Sequence, residues 1–252
     1  MAYNFKNKKA QKEFEKAASF FSLGKEKKAI DEFQKIALKW PDFFQVRIIL
    51  GEILLNKNEI CLAVKHLRKA SALNPFDFSA RFLLGIAYQK IFRFHSALFQ
   101  LESALNIYPE SKSAARAAAW AKITLGDFED GRRIINELLK KNILDVYLFI
   151  DLGASYMLSY DYDGADKCFK NASNLCPRDD SVKKCLTKAK SIVSAFNNLS
   201  KKEQDIAKSP EYFIKRQRKQ RLKDMLAFFE KVSFNEDDLS EVFYELKKDG
   251  IN

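Results

Sequence analysis

The stretch FSARFLLGIAYQKIFRFHSALFQLESALNIYP, from Phe78 to Pro109, contains a pattern that recurs along the chain. Its first half has a Leu-Gly pair and then an aromatic residue, and its second half has small and apolar residues at helical spacing. In order, these positions are Leu84, Gly85, Tyr88, Ala97, Leu101 and Ala104. Helices approach closely only where a side chain is nearly absent, and a neighbouring aromatic side chain fills the space that remains. The stretch therefore predicts two packed helices, ended by Pro109, which fixes φ and lacks an N–H.

The pattern repeats every 34 residues in five units, which begin at Ala10, Phe44, Phe78, Lys112 and Val146. The small residues of the first helices are Ala17, Gly51, Gly85, Ala119 and Gly153. Those of the second helices are Ala29, Ala63, Ala97, Gly131 and Ala165. The units close at Pro41, Pro75, Pro109, Ile143 and Pro177. A match over five aligned units indicates a true repeat, whose single hairpin cannot bury its apolar face and must stack.

The fourth unit departs most from the pattern. It has Lys122 where the aromatic residue belongs, Leu138 where a small residue belongs and Ile143 in place of proline. Gly126 and Asp127 still mark a turn between its two helices. We expect this unit to form a hairpin with altered local geometry.

The repeat resembles that of the tetratricopeptide family, whose units of this length carry Leu-Gly, Tyr, Ala, Phe, Ala and Pro in this order. The resemblance covers roughly residues 10–197 and implies an all-α fold, a right-handed solenoid of antiparallel helix pairs. We expect a polar N-terminal segment over residues 1–9, and five repeats with a cap helix over residues 10–197. Residues 198–252 are expected to form a linker and a basic, amphipathic helical tail.

Composition agrees with a helical protein that has no cofactor. The chain of 252 residues is 47% hydrophobic and has only 8 Gly and 5 Pro, which argues against a β fold rich in loops. It has no apolar N-terminal stretch and no apolar run long enough to span a membrane, so we expect a cytoplasmic protein with reduced cysteines. It also lacks a glycine-rich phosphate loop, a short cysteine spacing typical of metal sites and a recognisable nucleophile arrangement, so we expect no enzyme activity.

The first helix of each unit is expected to line the concave side, which the resemblance identifies as the binding surface. The candidate partner-binding residues on it are Ile49, Glu52, Phe82, Ile86, Arg116, Trp120, Tyr147 and Asp151. Large aromatic side chains with an arginine are the composition of an interaction hot spot, here in an apolar groove with isolated charges. Such a groove would bind an amphipathic helix or an extended peptide of a partner protein. The alternative is that these residues are packing residues, since the two kinds of position adjoin on one helix.

The tail begins with Ser209, Pro210 and Glu211, a favourable helix start. A dense basic run follows, made of Lys215, Arg216, Arg218, Lys219, Arg221 and Lys223. With a net charge of +11, this run fits a solvated helix face, an acidic protein partner, a nucleic acid or an anionic membrane surface.

An apolar stripe comes after the basic run, at Leu222, Met225, Leu226, Phe229 and Val232. An exposed stripe of this size should be covered. It could cap the last repeat, form a partner or homodimer contact, or fold back into the groove. The sequence as a whole predicts a non-catalytic scaffold or adaptor that binds a partner protein. The alternative is a nucleic-acid-associated adaptor that uses the basic tail helix.

Overall fold

The computed structural model describes residues 8–141, 145–176, 180–198 and 200–208, and within these ranges the secondary structure is entirely helical. The first six helices are α1 (Lys8–Ser22), α2 (Glu26–Lys39), α3 (Phe44–Asn56), α4 (Ile60–Leu73), α5 (Phe78–Lys90) and α6 (Phe94–Ile107). The other six are α7 (Lys112–Leu125), α8 (Phe128–Lys141), α9 (Val146–Leu158), α10 (Tyr162–Leu175), α11 (Asp180–Asn197) and α12 (Lys201–Lys208). The predicted all-α fold is confirmed, and α3, α5, α7 and α9 begin at the first residue of a predicted repeat.

The chain divides into two compact units. Unit 1 contains residues 1–91 and 99–109, and unit 2 contains residues 92–98 and 110–252, so that α6 contributes to both. In unit 1, α1 pairs with α2, α3 pairs with α4, and α5 packs on both α3 and α4. In unit 2, α7 pairs with α8, α9 pairs with α10, and α11 packs on both α9 and α10.

The small residues of the repeat lie where two helices of one hairpin touch. A Cβ atom at Gly51 of α3 would lie 2.4 Å from the Cγ atom of Leu67 in α4. A Cβ atom at Gly153 of α9 would lie 2.9 Å from the Cζ atom of Phe169 in α10. Glycine at these positions therefore lets a large buried side chain of the partner helix rest on bare backbone, as the repeat pattern predicts.

Each hairpin turns at a residue with left-handed backbone geometry. These residues are spaced 34 apart: Gly24 (φ 70°), Asn58 (φ 62°), Phe92 (φ 64°), Gly126 (φ 95°) and Tyr160 (φ 61°). At Gly24, Asn58, Gly126 and Tyr160 the next N–H donates to the carbonyl oxygen five residues back, as from Asp127 to Lys122 at 3.0 Å. This is the Schellman arrangement, which satisfies carbonyl groups at the end of a helix. The fourth unit has the same turn as the others, so its departures from the pattern do not prevent its hairpin.

We expect Gly126→Ala to lower the free energy of unfolding of the chain by about 1–2 kcal/mol, because a Cβ atom is disfavoured in the left-handed region. A Cβ atom at Gly126 would meet no atom within 4 Å, so the effect reports backbone geometry alone. Asn58→Gly is the matched reverse change, and we expect it to be neutral or stabilising. Urea unfolding followed by circular dichroism measures both, and a neutral Gly126→Ala would contradict the assignment.

Two arginines at the same place of successive repeats secure the ends of second helices in unit 1. The Nε atom of Arg47 donates to the carbonyl oxygen of Pro41 at 3.2 Å, and its Nη2 atom donates to that of Ala37 at 3.1 Å. Arg81, which is 34 residues later, donates from Nε to the carbonyl oxygen of Pro75 at 3.1 Å. A cation at the negative end of a helix satisfies carbonyl groups that lack partners within the helix. Sequence analysis missed this role, although an arginine six residues after a proline recurs at the repeat spacing.

The segment after the cap helix differs from the prediction. Helix α11 ends at Asn197, and the expected polar linker after it contains the short helix α12. Ser200 and Glu203 cap this helix reciprocally: the Ser200 N–H donates to the Glu203 carboxylate at 2.9 Å, and the Glu203 N–H donates to Ser200 Oγ at 3.4 Å. This capping box was the missed signal. Ile143, Pro177 and the tail from Ser209 onwards lie outside the described residues.

Candidate partner-binding faces

An ion pair joins the two neighbouring first helices α7 and α9 in unit 2. The Nε atom of Arg116 lies 2.5 Å from Oδ2 of Asp151, and its Nη2 atom lies 3.1 Å from Oδ1. The contact is bidentate, the geometry in which a guanidinium holds a carboxylate most firmly. The Arg116 side chain is 39% exposed and that of Asp151 is 16% exposed. The prediction that these charges are isolated is wrong for this pair, because Arg116 and Asp151 are one repeat and one position apart and contact each other across the two helices.

The environment of the ion pair shifts the pKa of both side chains. Burial raises the pKa of the Asp151 carboxyl group, and the hydrogen bonds from Arg116 offset part of this rise. The hydrogen bond to Asp151 raises the pKa of the Arg116 guanidinium. A carboxylate in a partly desolvated place requires a cation beside it. Arg116 is therefore held in one orientation by a charge that it neutralises.

The ring of Tyr147 lies next to the ion pair. The Cζ atom of Arg116 is 5.4 Å from the ring centroid of Tyr147, a distance at which a guanidinium attracts an aromatic face. Tyr147 is 51% exposed. Trp120 lies about one turn further along α7, is partly buried and packs against the core cluster that includes Ala119 and Ile135. Arg116, Trp120, Tyr147 and Asp151 thus form what we call the unit 2 face.

The predicted partner-binding residues of unit 1 are mostly apolar. Ile49 on α3 and Phe82 and Ile86 on α5 are partly buried, whereas Glu52 is exposed. The ring of Phe82 stacks on that of Phe78, with centroids 5.7 Å apart and an interplanar angle of 6°. We call Ile49, Glu52, Phe82 and Ile86 the unit 1 face.

A partly buried arginine, Arg132, which the sequence pattern did not indicate, connects α8 to the end of α9. The Nε atom of Arg132 donates to Oγ of Ser155 at 2.9 Å, and its Nη2 atom donates to the Ser155 carbonyl oxygen at 2.9 Å and to Ser159 Oγ. Its Cζ atom lies 4.1 Å from the ring centroid of Tyr156. Burial lowers the pKa of Arg132. Nothing in the sequence pattern indicates this role, since Arg132 lies in a charged stretch typical of a solvated helix face.

The described residues contain no group of three or more His, Cys, Asp and Glu side chains arranged to hold a metal ion. In the same part of the chain, no helix has the length and apolar character that a membrane crossing requires. His66 lies on α4 and His95 lies on α6. The basic residues from Lys215 to Lys223 lie outside the described residues.

Comparison with known proteins gives one sequence relative. No protein-family model matches the chain. The mouse protein "BBSome complex member BBS4" is 25% identical over 112 residues, which cover 44% of this chain and 22% of that protein. The chain thus matches less than a quarter of that relative's length.

Solved structures match much more of the chain. A tetratricopeptide repeat protein from Parabacteroides merdae superposes with a TM-score of 0.66 at 14% identity, covering 95% of this chain and 99% of that one. YrrB, described as a TPR protein with an unusual peptide-binding site, gives a TM-score of 0.62 at 14% identity, over 71% and 90% of the two chains. MamA from Desulfovibrio magneticus gives 0.61 at 20% identity, over 67% and 96%. The chain therefore has the tetratricopeptide-repeat fold, as its 34-residue pattern predicted.

Proposed function

We propose that this chain is a non-catalytic scaffold that binds a segment of a partner protein on the unit 2 face. The observation that carries the proposal is the arrangement of Tyr147. Its ring is half exposed, yet it is held beside the Arg116 guanidinium, which Asp151 fixes by a bidentate contact. An aromatic side chain that is accessible and already ordered loses little entropy on binding.

The composition of the face indicates the chemistry of the partner. Tryptophan, tyrosine and arginine are the residues that most often dominate binding energy at interfaces. Because Asp151 compensates the charge of Arg116, the face presents aromatic surface rather than a free cation. The fitting partner is therefore an amphipathic helix or an extended segment with apolar or aromatic anchor residues, rather than a carboxylate group.

The unit 1 face offers a separate apolar contact. Phe82, Ile86 and Ile49 are incompletely buried, and Glu52 places one negative charge among them. We propose that this face also contacts partner protein. The description of YrrB as a peptide-binding TPR protein agrees with a peptide-binding role, which we carry over to this chain as part of the proposal.

We expect Tyr147→Ala to weaken peptide binding at least about tenfold, as the loss of a central aromatic anchor does. The probe is a set of twelve-residue peptides selected on the full chain from a random display library, with Kd measured by fluorescence anisotropy. Two substitutions outside the faces serve as controls. Phe99→Ala removes an aromatic side chain that is 63% exposed on a second helix, and Arg133→Ala removes an exposed arginine of α8. Both should leave Kd unchanged.

One result would contradict the proposal. Selected peptides whose affinity is insensitive to Tyr147→Ala and Trp120→Ala would show that the unit 2 face is ordinary packing surface.

The alternative function, a nucleic-acid-associated adaptor, rests on the basic run from Lys215 to Lys223. It predicts a steep salt dependence of binding to a generic single-stranded RNA, lost when Arg216, Arg218 and Arg221 are neutralised.

A further inference from the structure

An open groove of about 290 Å³ lies between α10 and α11 in unit 2. It is lined by Ala165, Asp166, Phe169, Leu186, Ala189, Lys190, Ser194 and Asn198. The floor is apolar: Ala165, Phe169 and Ala189 are buried and share one core cluster, and Leu186 packs against them. The groove runs along α11 from Leu186 to Asn198, which is about 18 Å at 1.5 Å per helical residue.

The groove lies beside the helix in which the regular series of left-handed turns ends, α11. The left-handed turns recur every 34 residues up to Tyr160, and the next position at that spacing is Ser194. There α11 continues as a helix to Asn197 and reaches 18 residues, whereas the other first helices have 13 to 15. Helices α7 and α9 each pack against the second helix of their own hairpin. The groove beside α11 is the place that the second helix of a sixth hairpin would fill.

The length and pattern of the following chain fit this place. Asn198 lines one end of the groove, and α12 adds only eight residues, or about 12 Å, before Ser209. The residues from Ser209 to Arg221 can span more than about 40 Å when extended, which exceeds the length of the groove. Next comes the apolar stripe Leu222, Met225, Leu226 and Phe229, whose spacing predicts one apolar helix face.

We propose that the segment from Leu222 to Val232 packs into the groove between α10 and α11 of the same chain, as the second helix that α11 lacks. The apolar stripe lies on the apolar floor, and the basic residues that precede it stay in solvent. The tail thereby covers the end of unit 2 that would otherwise present open apolar surface. This inference is independent of the function proposed for the unit 2 face.

Hydrogen exchange followed by mass spectrometry tests the proposal on the full chain. We expect amides of residues 222–232 to exchange at least about tenfold more slowly than in a synthetic peptide of residues 209–252. Ser194→Trp fills the groove from an exposed position and should abolish this protection. Ser191→Trp places the same side chain on an exposed position of the same helix, outside the groove, and should preserve it. In the reverse direction, Phe229→Asp should speed exchange in residues 186–198 at least about tenfold.

Three outcomes would overturn the proposal. The first is a tail that exchanges as fast as the peptide. The second is protection that survives Ser194→Trp, since the tail would then lie elsewhere. The third is protection that appears only at concentrations where sedimentation shows a dimer, which would place a second copy's tail in the groove. Melting curves by circular dichroism establish that each variant is folded.

Discussion

We expect Phe169→Ala to lower the free energy of unfolding by about 3–5 kcal/mol, the usual loss for a buried phenylalanine. Phe169 is 4% exposed and lies against the bare backbone of Gly153. The ring fills the space between α9 and α10, and helices held by several other contacts cannot close the gap completely. The lost contacts and the remaining cavity therefore both destabilise the hairpin.

Urea unfolding followed by circular dichroism measures this loss. Phe99→Ala is the matched control, because Phe99 is 63% exposed and a surface substitution should change stability by less than about 0.5 kcal/mol. A Phe169→Ala loss no greater than that of Phe99→Ala would mean that the ring is not a core residue.

The second large effect is expected from Gly131→Val, which should lower the free energy of unfolding by about 3 kcal/mol or more. A Cβ atom at Gly131 would lie 2.5 Å from Cγ1 of Ile123 and 2.9 Å from the carbonyl oxygen of Ala119. Ile123 is fully buried, and the carbonyl oxygen belongs to helix backbone, so neither can move without shifting α7 against α8. Overpacking of this kind destabilises through strained rotamers and displaced backbone.

Asn136→Val is the control for this substitution, because it places the same side chain on an exposed position of α8. The difference in unfolding free energy between the two variants isolates the clash from the helix propensity of valine. If Gly131→Val proved as stable as Asn136→Val, the close approach of α7 and α8 would be wrong.

The fold could be predicted from the sequence because the same pattern of small and large packing residues recurs in five repeats. Glycine or alanine at the eighth place, with a large apolar residue opposite, is a steric requirement that shows in composition. Helices α3, α5, α7 and α9 begin at the first residue of a predicted repeat, whereas α1 begins at Lys8, two residues before the predicted unit start at Ala10. A single capping box is a weaker sequence signal than a pattern that recurs in five repeats, and the helix that begins with the Ser200–Glu203 box was missed for that reason.

Other features were beyond sequence reasoning for physical reasons. Phe92 and Tyr160 adopt left-handed backbone geometry that aromatic residues rarely take, because tertiary packing overrides local preference. The ring of Tyr160 packs edge-on against that of Tyr162, with centroids 6.2 Å apart. In the candidate site, the sequence identified Arg116 and Asp151 but not their pairing, since the offset by one position depends on how α7 and α9 are rotated.

The regular spacing of the left-handed turns matters for protein engineering in which hairpins of this chain are exchanged or joined. From Gly24 to Tyr160, the described hairpins reverse direction with the same sign of φ at the same register, although the residues there range from glycine to tyrosine. These turns are therefore equivalent junctions. We expect a hairpin cut at one turn and joined at another to keep the phase of its helices, and glycine followed by aspartate, as at Gly126 and Asp127, to serve as the splice because glycine adopts this geometry without strain.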